Sequence, residues 1–458
     1  MHQAIEDIIL IAAELSFLMD IASLKHIHFV GIKGVGMTSL ALCAQDLGIK
    51  VTGSDVGEIF VTDEILKDRK IKWSEGFSEM NLKDKPDLVV TTGAHGGLKN
   101  PEVVAAKKLK IPVLTQARAL AFFSKGKDLI AVCGVGGKTT TSAIIAHILA
   151  RCGLHPSYAI GVGKIYPLGY SGKYDKKGKI FICEADEFVN SPGVDNTPRF
   201  LFLDPKVVVV TNLEHDHPDV YPTLADTKKA YLAFFQKIPG DGLLVANADD
   251  KNIQDLIYNL HTPIVKYTTP ANVKTHLPGK YNLRNIAASL AVAEYLGIPK
   301  QKAIEAVKSF KGTQRRFEKI GETKDGTIVY DDYAHHPSEI KAVLKAAKEL
   351  YPQRRIVAVF QPHTYTRTKV LFNDFAKSFI NSDIACLMDI YASAREKPDK
   401  SVSSKLLAEE VKRFNKNSHY TGNHKNTIEW LKKNLKAKDV VITIGAGDVF
   451  YIHKDLLN

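Results

Sequence analysis

A glycine-rich run over residues 134–137 leads directly into Lys138 and three threonines. An apolar segment, 129–133, precedes the run, and a helical pattern follows it through Arg151. Glycines let backbone N–H groups turn toward phosphate oxygens, and the start of a helix adds the positive end of its dipole. In such a loop the lysine reaches the β- and γ-phosphates and a hydroxyl is offered to Mg²⁺. The run predicts an ATP-binding loop, with a tight turn carrying a surface lysine as the alternative.

A second glycine turn, Gly31-Ile-Lys-Gly34-Val-Gly36, also joins an apolar strand to a helical pattern. Asp55 follows about twenty residues later, at the end of the next strand, as in sites for nucleotide phosphate and ribose. The spacing is G-x-x-G-x-G, so a turn that is only tight stays the alternative. Two phosphate-binding turns favour an ATP-consuming enzyme with two phosphorylated ligands over a dehydrogenase, which needs one such turn.

Acidic residues follow two later apolar strands. Glu184-Ala-Asp186-Glu187 comes after segment 179–183, and Glu214-His215-Asp216-His217 comes after segment 207–211. Ligands gather beyond the carboxyl ends of strands in open α/β sheets. Carboxylates with a neutral imidazole suit Mg²⁺ or Mn²⁺ bridging nucleotide phosphates, whereas zinc is disfavoured because no cysteine accompanies the histidines. Solvated loop charges are the alternative.

Short apolar strands alternate with helical patterns along the chain, which predicts parallel sheets covered by helices. Polar stretches near 124–128 and 312–316 interrupt the alternation. We therefore predict an α/β protein of three consecutive domains. They are a Rossmann-like N-terminal domain over 1–124, with an extra N-terminal helix at 1–26, a central P-loop ATPase domain over 125–314 and a Rossmann-like C-terminal domain over 315–458.

The chain has 458 residues and a surplus of basic residues, 62 Lys and Arg against 50 Asp and Glu, or +12. Such a surplus suits nucleic acid, a membrane surface or phosphorylated small molecules. We find no nucleic-acid recognition module and no apolar run long enough to span a bilayer, so we expect neither partner. The five cysteines are scattered, which favours a reducing cytoplasm. Nothing in the sequence indicates the oligomeric state.

Eight motifs in this order resemble those of the Mur ligases, from about His28 to the end of the chain. They are G-x-x-G-V-G-M, G-K-T-T-T, E-A-D-E, T-N-x-E-x-D-H, N-x-x-N-x-A-A, R-R-F, D-D-Y-x-H-H-P and Q-P-H-x-Y-x-R-T. The resemblance implies an ATP-dependent ligase of peptidoglycan precursor synthesis, which joins L-alanine or another small amino acid to UDP-N-acetylmuramate through an acyl phosphate. Two alternatives stay open: a ligase that attaches a tripeptide to the same sugar nucleotide, and a non-catalytic nucleotide-binding relative.

The resemblance also implies roles for individual residues. The residues expected to hold the UDP-sugar are Gly31, Gly34, Gly36, Asp55, Ala94 and His95. Those expected to hold ATP are Gly134, Gly136, Gly137, Lys138, Thr139, Thr140, Asn282, Asn285, Arg316 and Asp331. The metal ligands are expected to be Thr139, Glu184 and His217. The residues expected to bind the amino acid and the acyl group are His335, His336 and Arg367. Catalysis is expected from Lys138, Arg367 and a base, either His217 or His336.

Three departures from the family pattern bear on these expectations. Val135-Gly136 stands where relatives usually carry Thr and His or Asn, and Tyr281 replaces the usual histidine. Thr364 stands three residues before Arg367, where alanine-adding relatives usually carry a second arginine. The loss of one guanidinium from the expected carboxylate site leaves the identity of the amino acid open.

Overall fold

A computed structural model describes residues 19–258, 260–270, 273–392, 396 and 398–457. The chain divides into two compact units. The first takes in the described parts of Met1–Glu214, Lys228–Thr268 and Asn285–Phe310, and the second takes in those of His215–Thr227, Thr269–Arg284 and Lys311–Asn458. Most of the predicted helix at 1–26 lies outside the described residues. None of the described helices has both the length and the apolar content needed to cross a bilayer.

The first sheet of the first unit is five-stranded and parallel, in the order β3-β2-β1-β4-β5. Its strands are β1 (His26–Val30), β2 (Lys50–Asp55), β3 (Lys72–Glu75), β4 (Leu88–Thr91) and β5 (Val113–Thr115). Its helices are α1 (Val35–Asp46), α2 (Asp63–Asp68), α3 (Pro101–Lys108) and α4 (Gln116–Ser124). β1 and β4 are buried along their whole length, as expected for the middle of a sheet covered on both faces.

The second sheet has, within the first unit, the order β14-β13-β12-β6-β9-β7, with β8 antiparallel to β7. Its strands, with the separate hairpin β10–β11, are β6 (Asp128–Cys133), β7 (Ser157–Tyr166), β8 (Gly169–Lys173), β9 (Ile180–Glu184), β10 (Val189–Ser191), β11 (Asp195–Pro198), β12 (Val207–Val210), β13 (Leu243–Asn247) and β14 (Ile264–Tyr267). The helices of this part of the chain are α5 (Lys138–Arg151), α6 (Leu224–Phe235), α7 (Lys251–Ile257), α8 (Lys280–Tyr295) and α9 (Lys300–Ser309). β12 is four buried valines, which places it in the sheet interior.

The second unit holds a six-stranded sheet in the order β16-β17-β21-β18-β19-β20. Only the pair β16–β17 is antiparallel. The strands of this unit are β15 (Gly312–Thr313), β16 (Glu318–Glu322), β17 (Ile328–Asp332), β18 (Ile356–Phe360), β19 (Ile384–Met388), β20 (Ser418–Gly422) and β21 (Val440–Ile444). Its helices are α10 (Pro337–Leu350), α11 (Tyr365–Val370), α12 (Phe372–Ala376), α13 (Ser404–Val411), α14 (His424–Asn434) and α15 (His453–Leu457). Three sheets of mainly parallel strands with covering helices confirm the predicted α/β class.

Candidate functional site

The predicted phosphate loop lies between β6 and α5, at the carboxyl end of a buried central strand. Gly134 and Gly137 have φ of +127° and +85°, which side-chain-bearing residues rarely adopt. A Cβ atom on Gly134 would overlap the Thr211 hydroxyl, and one on Gly137 would lie 2.6 Å from Asn285 Oδ1. Both positions therefore require glycine, for backbone conformation and for space.

Two side chains that follow β12 hold this loop in shape. The amide of Gly136 donates to Asn212 Oδ1 at 2.9 Å. The hydroxyl of Thr211 donates to the carbonyl of Gly136 at 2.6 Å and lies 3.1 Å from that of Cys133. Both of these hydrogen-bond partners are neutral. Asn212 and Thr211 belong to the T-N-x-E-x-D-H motif but were not among the predicted site residues.

Lys138 is the first residue of α5, and its ammonium group points back into the loop. Its Nζ donates to the carbonyl of Gly134 at 2.6 Å and lies 3.1 Å from Glu187 Oε2. Burial acts to lower the pKa of Lys138, but the carboxylates of Glu187, Asp186 and Glu184 outweigh it and raise the pKa above its usual range. The lysine therefore stays charged, and Glu187 is the counter-ion that the sequence did not assign.

Thr139 and Glu184 are brought together beside this lysine, as predicted for a metal site. The Thr139 hydroxyl donates to Glu184 Oε2 at 3.0 Å, and the amide of Gly161 donates to Glu184 Oε1 at 2.7 Å. A hydroxyl and a carboxylate next to a phosphate loop are the oxygen donors that Mg²⁺ prefers, so the residues fit this ion. His217, the third predicted ligand, belongs to the second unit and stays a prediction.

The remaining predicted ATP residues lie in both units. Thr140 is buried in the first turn of α5, and Asn285 Oδ1 lies close to the backbone of Gly137. Asn282 belongs to the second unit, where its side-chain amide donates to the carbonyl of Pro278 at 2.7 Å. Burial raises the pKa of the neighbouring Tyr281 phenol, which therefore stays neutral. Their nucleotide contacts stay predictions.

The second glycine turn lies between β1 and α1. Gly31 has φ of +79°, and a Cβ on it would lie 2.5 Å from Thr92 Cγ2. Gly34 precedes α1 with an ordinary φ of −59°. A Cβ on Gly36 would lie 3.2 Å from Gln116 Nε2, close to the start of α4. Of the three predicted glycines, Gly31 is the one that the backbone conformation demands.

Asp55 holds this turn from behind. Its carboxylate accepts the amide of Lys33 at 2.7 Å and that of Val56 at 2.8 Å, and it is 1% exposed. Burial raises the pKa of Asp55 above its usual value, although the two amides act against that shift. His95, with φ of +51°, brings Nε2 to 3.6 Å from Asp55 Oδ1. The predicted pair Asp55 and His95 is therefore adjacent.

The hairpin β10–β11 lies against the loop that carries Ala94 and His95. A Cβ on Gly93 would lie 3.2 Å from the carbonyl of Asn190, and one on Gly97 would lie 3.3 Å from Ser191 Oγ. Arg199, just after the hairpin, donates from Nη1 to Asp186 Oδ2 at 2.7 Å. The hairpin thus links the E-A-D-E segment to the predicted UDP-sugar loop, a link for which the sequence has no recognisable signal.

In the second unit, Arg367 on α11 forms a buried pair with Asp216. Its Nε lies 2.9 Å from Asp216 Oδ1 and its Nη2 lies 3.3 Å from Oδ2, with 6% and 4% of the two side chains exposed. Burial acts to raise the pKa of Asp216, but His217, Arg367 and the two histidines 335 and 336 hold it well below its usual range. The predicted guanidinium is thus oriented by a carboxylate that the sequence did not assign.

The predicted histidines of this unit have distinct surroundings. His335 Nδ1 lies 3.1 Å from the carbonyl of Tyr333, and burial lowers the pKa of His335 to about 4, so the ring is neutral at neutral pH. His336 caps α10: its Nδ1 lies 2.8 Å from Ser338 Oγ, and Glu339 completes a capping box. His217 Nε2 lies 3.6 Å from Asp216 Oδ2. The identity of the base stays a prediction.

Two consecutive arginines differ in their carboxylate contacts. Arg315, with φ of +58°, turns inward and its Nε donates to Asp331 Oδ2 at 2.8 Å. Both guanidinium groups lie over the ring of Tyr333, that of Arg316 at 4.8 Å and that of Arg315 at 5.2 Å from its centroid. Burial raises the pKa of Asp332 to about 7, although Arg316 opposes the shift. Asp331 is thus bound by the arginine that the sequence did not single out.

Thr364, which replaces the expected arginine, lies at the start of α11. Its hydroxyl donates to Glu396 Oε1 at 2.8 Å, and the amide of Thr366 lies 3.2 Å from Glu396 Oε2. The Glu396 carboxylate therefore lies next to Thr364, the position at which alanine-adding relatives usually carry an arginine. That arrangement favours a positively charged or neutral group over a second carboxylate beside Thr364.

Three family models match the chain. Their descriptions are "Mur ligase family, catalytic domain" for residues 26–128, "Mur ligase middle domain" for residues 132–272 and "Mur ligase, glutamate ligase domain" for residues 315–447. Similar curated proteins are UDP-N-acetylmuramate–L-alanine ligases. That of Acetivibrio thermocellus is 37% identical, over 95% of this chain and 96% of its own. That of Caldanaerobacter subterraneus subsp. tengcongensis is also 37% identical, over 96% of this chain and 98% of its own.

Solved structures are similar along nearly the whole chain. A UDP-N-acetylmuramate-alanine ligase from Thermotoga maritima has a TM-score of 0.74 at 27% identity and covers 94% of this chain and 97% of its own. A murein peptide ligase from Psychrobacter arcticus has a TM-score of 0.71 at 24% identity, over 94% and 98%, and supports the fold alone.

Proposed function

The chain belongs to the Mur ligase family, and from that premise we propose that it joins L-alanine, or another small amino acid, to the carboxylate of UDP-N-acetylmuramate at the expense of ATP. The observation that carries this proposal is Lys138, held charged at the start of α5 in a loop shaped by neutral partners. Such a loop suits the phosphates of ATP.

The reaction has two steps. A carboxylate oxygen of the sugar nucleotide attacks the γ-phosphorus of ATP, which forms an acyl phosphate and releases ADP. The amine of the amino acid then attacks the acyl carbon, a base takes its proton, and phosphate leaves from the tetrahedral intermediate. Both steps depend mainly on positioning and on neutralised charge.

The residues of this chain supply that neutralisation. Lys138 approaches the transferred phosphoryl group, and Arg367, oriented by Asp216, is available to an anionic oxygen of the acyl group or amino acid. Thr139 and Glu184, with His217, would hold Mg²⁺ or Mn²⁺, which when bound neutralises polyphosphate charge. His336 serves as the base, or His217 does so in a state in which it does not hold the ion.

We extend the proposal to the domains and the cellular setting. Residues 1–124 form the UDP-sugar domain, 125–314 the ATP domain and 315–458 the amino-acid domain, in line with the three separate sheets. The described turn at Gly31, with Asp55 and the loop of Ala94 and His95, receives the UDP-sugar. Five free cysteines and a need for ATP fit the cytoplasm.

The test is phosphate release from ATP by the purified chain. We expect turnover only when UDP-N-acetylmuramate, a small amino acid and ATP with Mg²⁺ are all present, and a strong loss in the Lys138→Ala variant. No turnover with any amino acid would overturn the proposal.

The ligase that attaches a tripeptide to the same sugar nucleotide is the second candidate. The surroundings of Thr364 favour this candidate. The Glu396 carboxylate lies near the position of the expected arginine and therefore disfavours the free carboxylate of a single amino acid there. Competition decides between the two: a tripeptide that outcompetes L-alanine as acceptor would replace the alanine assignment.

A further inference from the structure

A groove of about 780 Å³ lies at one edge of the six-stranded sheet in the second unit. Its lining includes Arg355, Asp383 and Asn417, each of which immediately precedes a strand, β18, β19 or β20. These strands are parallel, so the groove is at their amino ends. Arg367 and the other predicted amino-acid residues of this unit follow the carboxyl ends. A five-residue strand separates the two edges by about 16 Å.

The charges of the groove do not balance. Two lining cations are paired: Lys348 lies 2.9 Å from Asp383, and Arg355 lies 2.6 Å from Asp439. Three more lining cations, Arg354, Lys433 and Lys436, form no ion pair with any described carboxylate. The Arg354 guanidinium donates to the carbonyl of Gly326 at 3.0 Å, which fixes its position without cancelling its charge. The groove therefore carries an excess of positive charge suited to an anion with several oxygens.

One wall of the groove is aromatic. His419 on β20 and Trp430 on α14 have ring centroids 4.9 Å apart at an interplanar angle of 40°. Trp430 is half-buried against the core while still lining the groove, and His419 is exposed. A partly exposed indole beside a ring that stays in contact with solvent offers a face for a planar group. A volume of this size is typical of sites for small ligands.

We propose that this groove is a second nucleotide site, which binds a base against Trp430 and His419 and phosphates at Arg354, Lys433 and Lys436. The cations alone would fit any polyanion, and the aromatic wall alone would fit an apolar ring. The two together select a planar ring that carries phosphate. The proposal does not depend on the proposed ligase activity, because none of the residues that line the groove is a predicted catalytic residue.

Trp430 reports directly on the groove. The chain has two tryptophans, so a Trp73→Phe variant leaves Trp430 as the single tryptophan, which is excited selectively at wavelengths that tyrosine does not absorb. We expect ADP or UMP to quench its emission with saturation, and this quenching to persist when Lys138→Ala is added to remove the phosphate-loop lysine. Preference for ADP points to the cofactor as the source of the ligand, and preference for UMP points to the sugar nucleotide.

Charge reversal gives the matched comparison. Lys433→Glu with Lys436→Glu should weaken quenching at least about tenfold, because two charge-assisted contacts become repulsive. Lys425→Glu with Lys432→Glu makes the same change of charge on exposed residues that do not line the groove, and should leave quenching unaltered. Both double variants should keep the ligase turnover of the parent. Calorimetry of a Trp430→Leu variant that still folds should lack the binding event of the groove and keep that of the phosphate loop.

Four outcomes overturn the proposal. They are the absence of quenching by millimolar nucleotide, equal affinity in the two double variants, pyrophosphate binding as tightly as ADP, and RNA oligonucleotides binding more tightly than mononucleotides with a steep salt dependence. The third would make the groove a simple anion site, and the fourth would make it a nucleic-acid surface.

Discussion

The two glycine turns of the first unit begin alike and are held in opposite ways. Each follows a buried parallel strand, precedes a helix and includes or adjoins a lysine, Lys33 or Lys138. Behind the first turn is a carboxylate, Asp55, which accepts backbone amides. Behind the second is the neutral side chain of Asn212, which does the same.

The lysines differ accordingly. The Lys33 ammonium is used by the protein itself, since it donates to the carbonyls of Val56 and Glu58 and its side chain is 3% exposed. Lys138 retains 17% side-chain exposure beside Glu187. Asp55 takes the Lys33 amide and backbone carbonyls take the Lys33 ammonium, whereas the buried Glu187 of the second turn is paired with Lys138. The first turn therefore suits sugar or base contacts, while the second suits a polyphosphate. A glycine turn therefore acquires its ligand preference from the residue behind it.

The largest expected effect comes from removing each lysine in turn. Lys138→Ala should lower kcat by about 10²–10³-fold, because the developing phosphoryl charge loses a positioned cation. Lys33→Ala should leave kcat close to the parent value and instead cost about 1–3 kcal/mol of stability through unsatisfied carbonyls. Steady-state kinetics and urea unfolding measure the two effects. Equal losses of kcat would mean that the turns do not differ as described.

Adding a methyl group to one glycine of each turn is the next strongest test. Gly134→Ala should destabilise the protein by about 2–3 kcal/mol, because φ is +127° and the new Cβ meets Thr211. Gly34→Ala should change stability by less than about 1 kcal/mol, because its φ is −59° and the nearest atom, Gly31 O, is 3.5 Å away. Unfolding midpoints that shift equally would contradict the assigned backbone requirements.

Exchanging the groups behind the turns should have a smaller effect. Asn212→Asp keeps the acceptor for the Gly136 amide but adds a negative charge, so the KM for ATP should rise about tenfold. Asp55→Asn should leave that KM unchanged and cost about 1–2 kcal/mol, since an NH₂ group then faces a backbone amide. An unchanged KM in Asn212→Asp would show that charge behind the loop does not matter.

Much of this arrangement follows from sequence patterns, and the exceptions have physical causes. Central strands such as β12, four buried valines, are predictable because both faces are covered. The edge strand β3 has no such apolar pattern, because its four residues are largely exposed and polar. The phosphate loop was predicted from its glycines, its lysine and its position between a strand and a helix. Its counter-ion Glu187 was not, because pairing depends on how β9 and α5 are brought together.

The choice between Arg315 and Arg316 shows a second limit of sequence patterns. Adjacent side chains point in different directions, and the positive φ of Arg315 reverses the expected direction. A positive φ at a residue other than glycine leaves no trace in residue type or periodicity. Arg315 therefore contacts Asp331, a pairing that only the folded chain reveals.

The smallest effect separates the two turns by pH. Since burial raises the pKa of Asp55, the folded state binds more protons than the unfolded state above the usual aspartate value of about 3.9. The contribution of Asp55 to stability must therefore fall as pH rises from about 4 through its raised pKa. Asp55→Asn should lack this decline, whereas Asn212→Gln, which alters the neutral partner, should retain it. The comparison is made by measuring the free energy of unfolding in urea across that pH interval. If the free energy of unfolding depended on pH in Asp55→Asn as it does in the parent, the Asp55 carboxylate would not be the group that titrates behind the first turn.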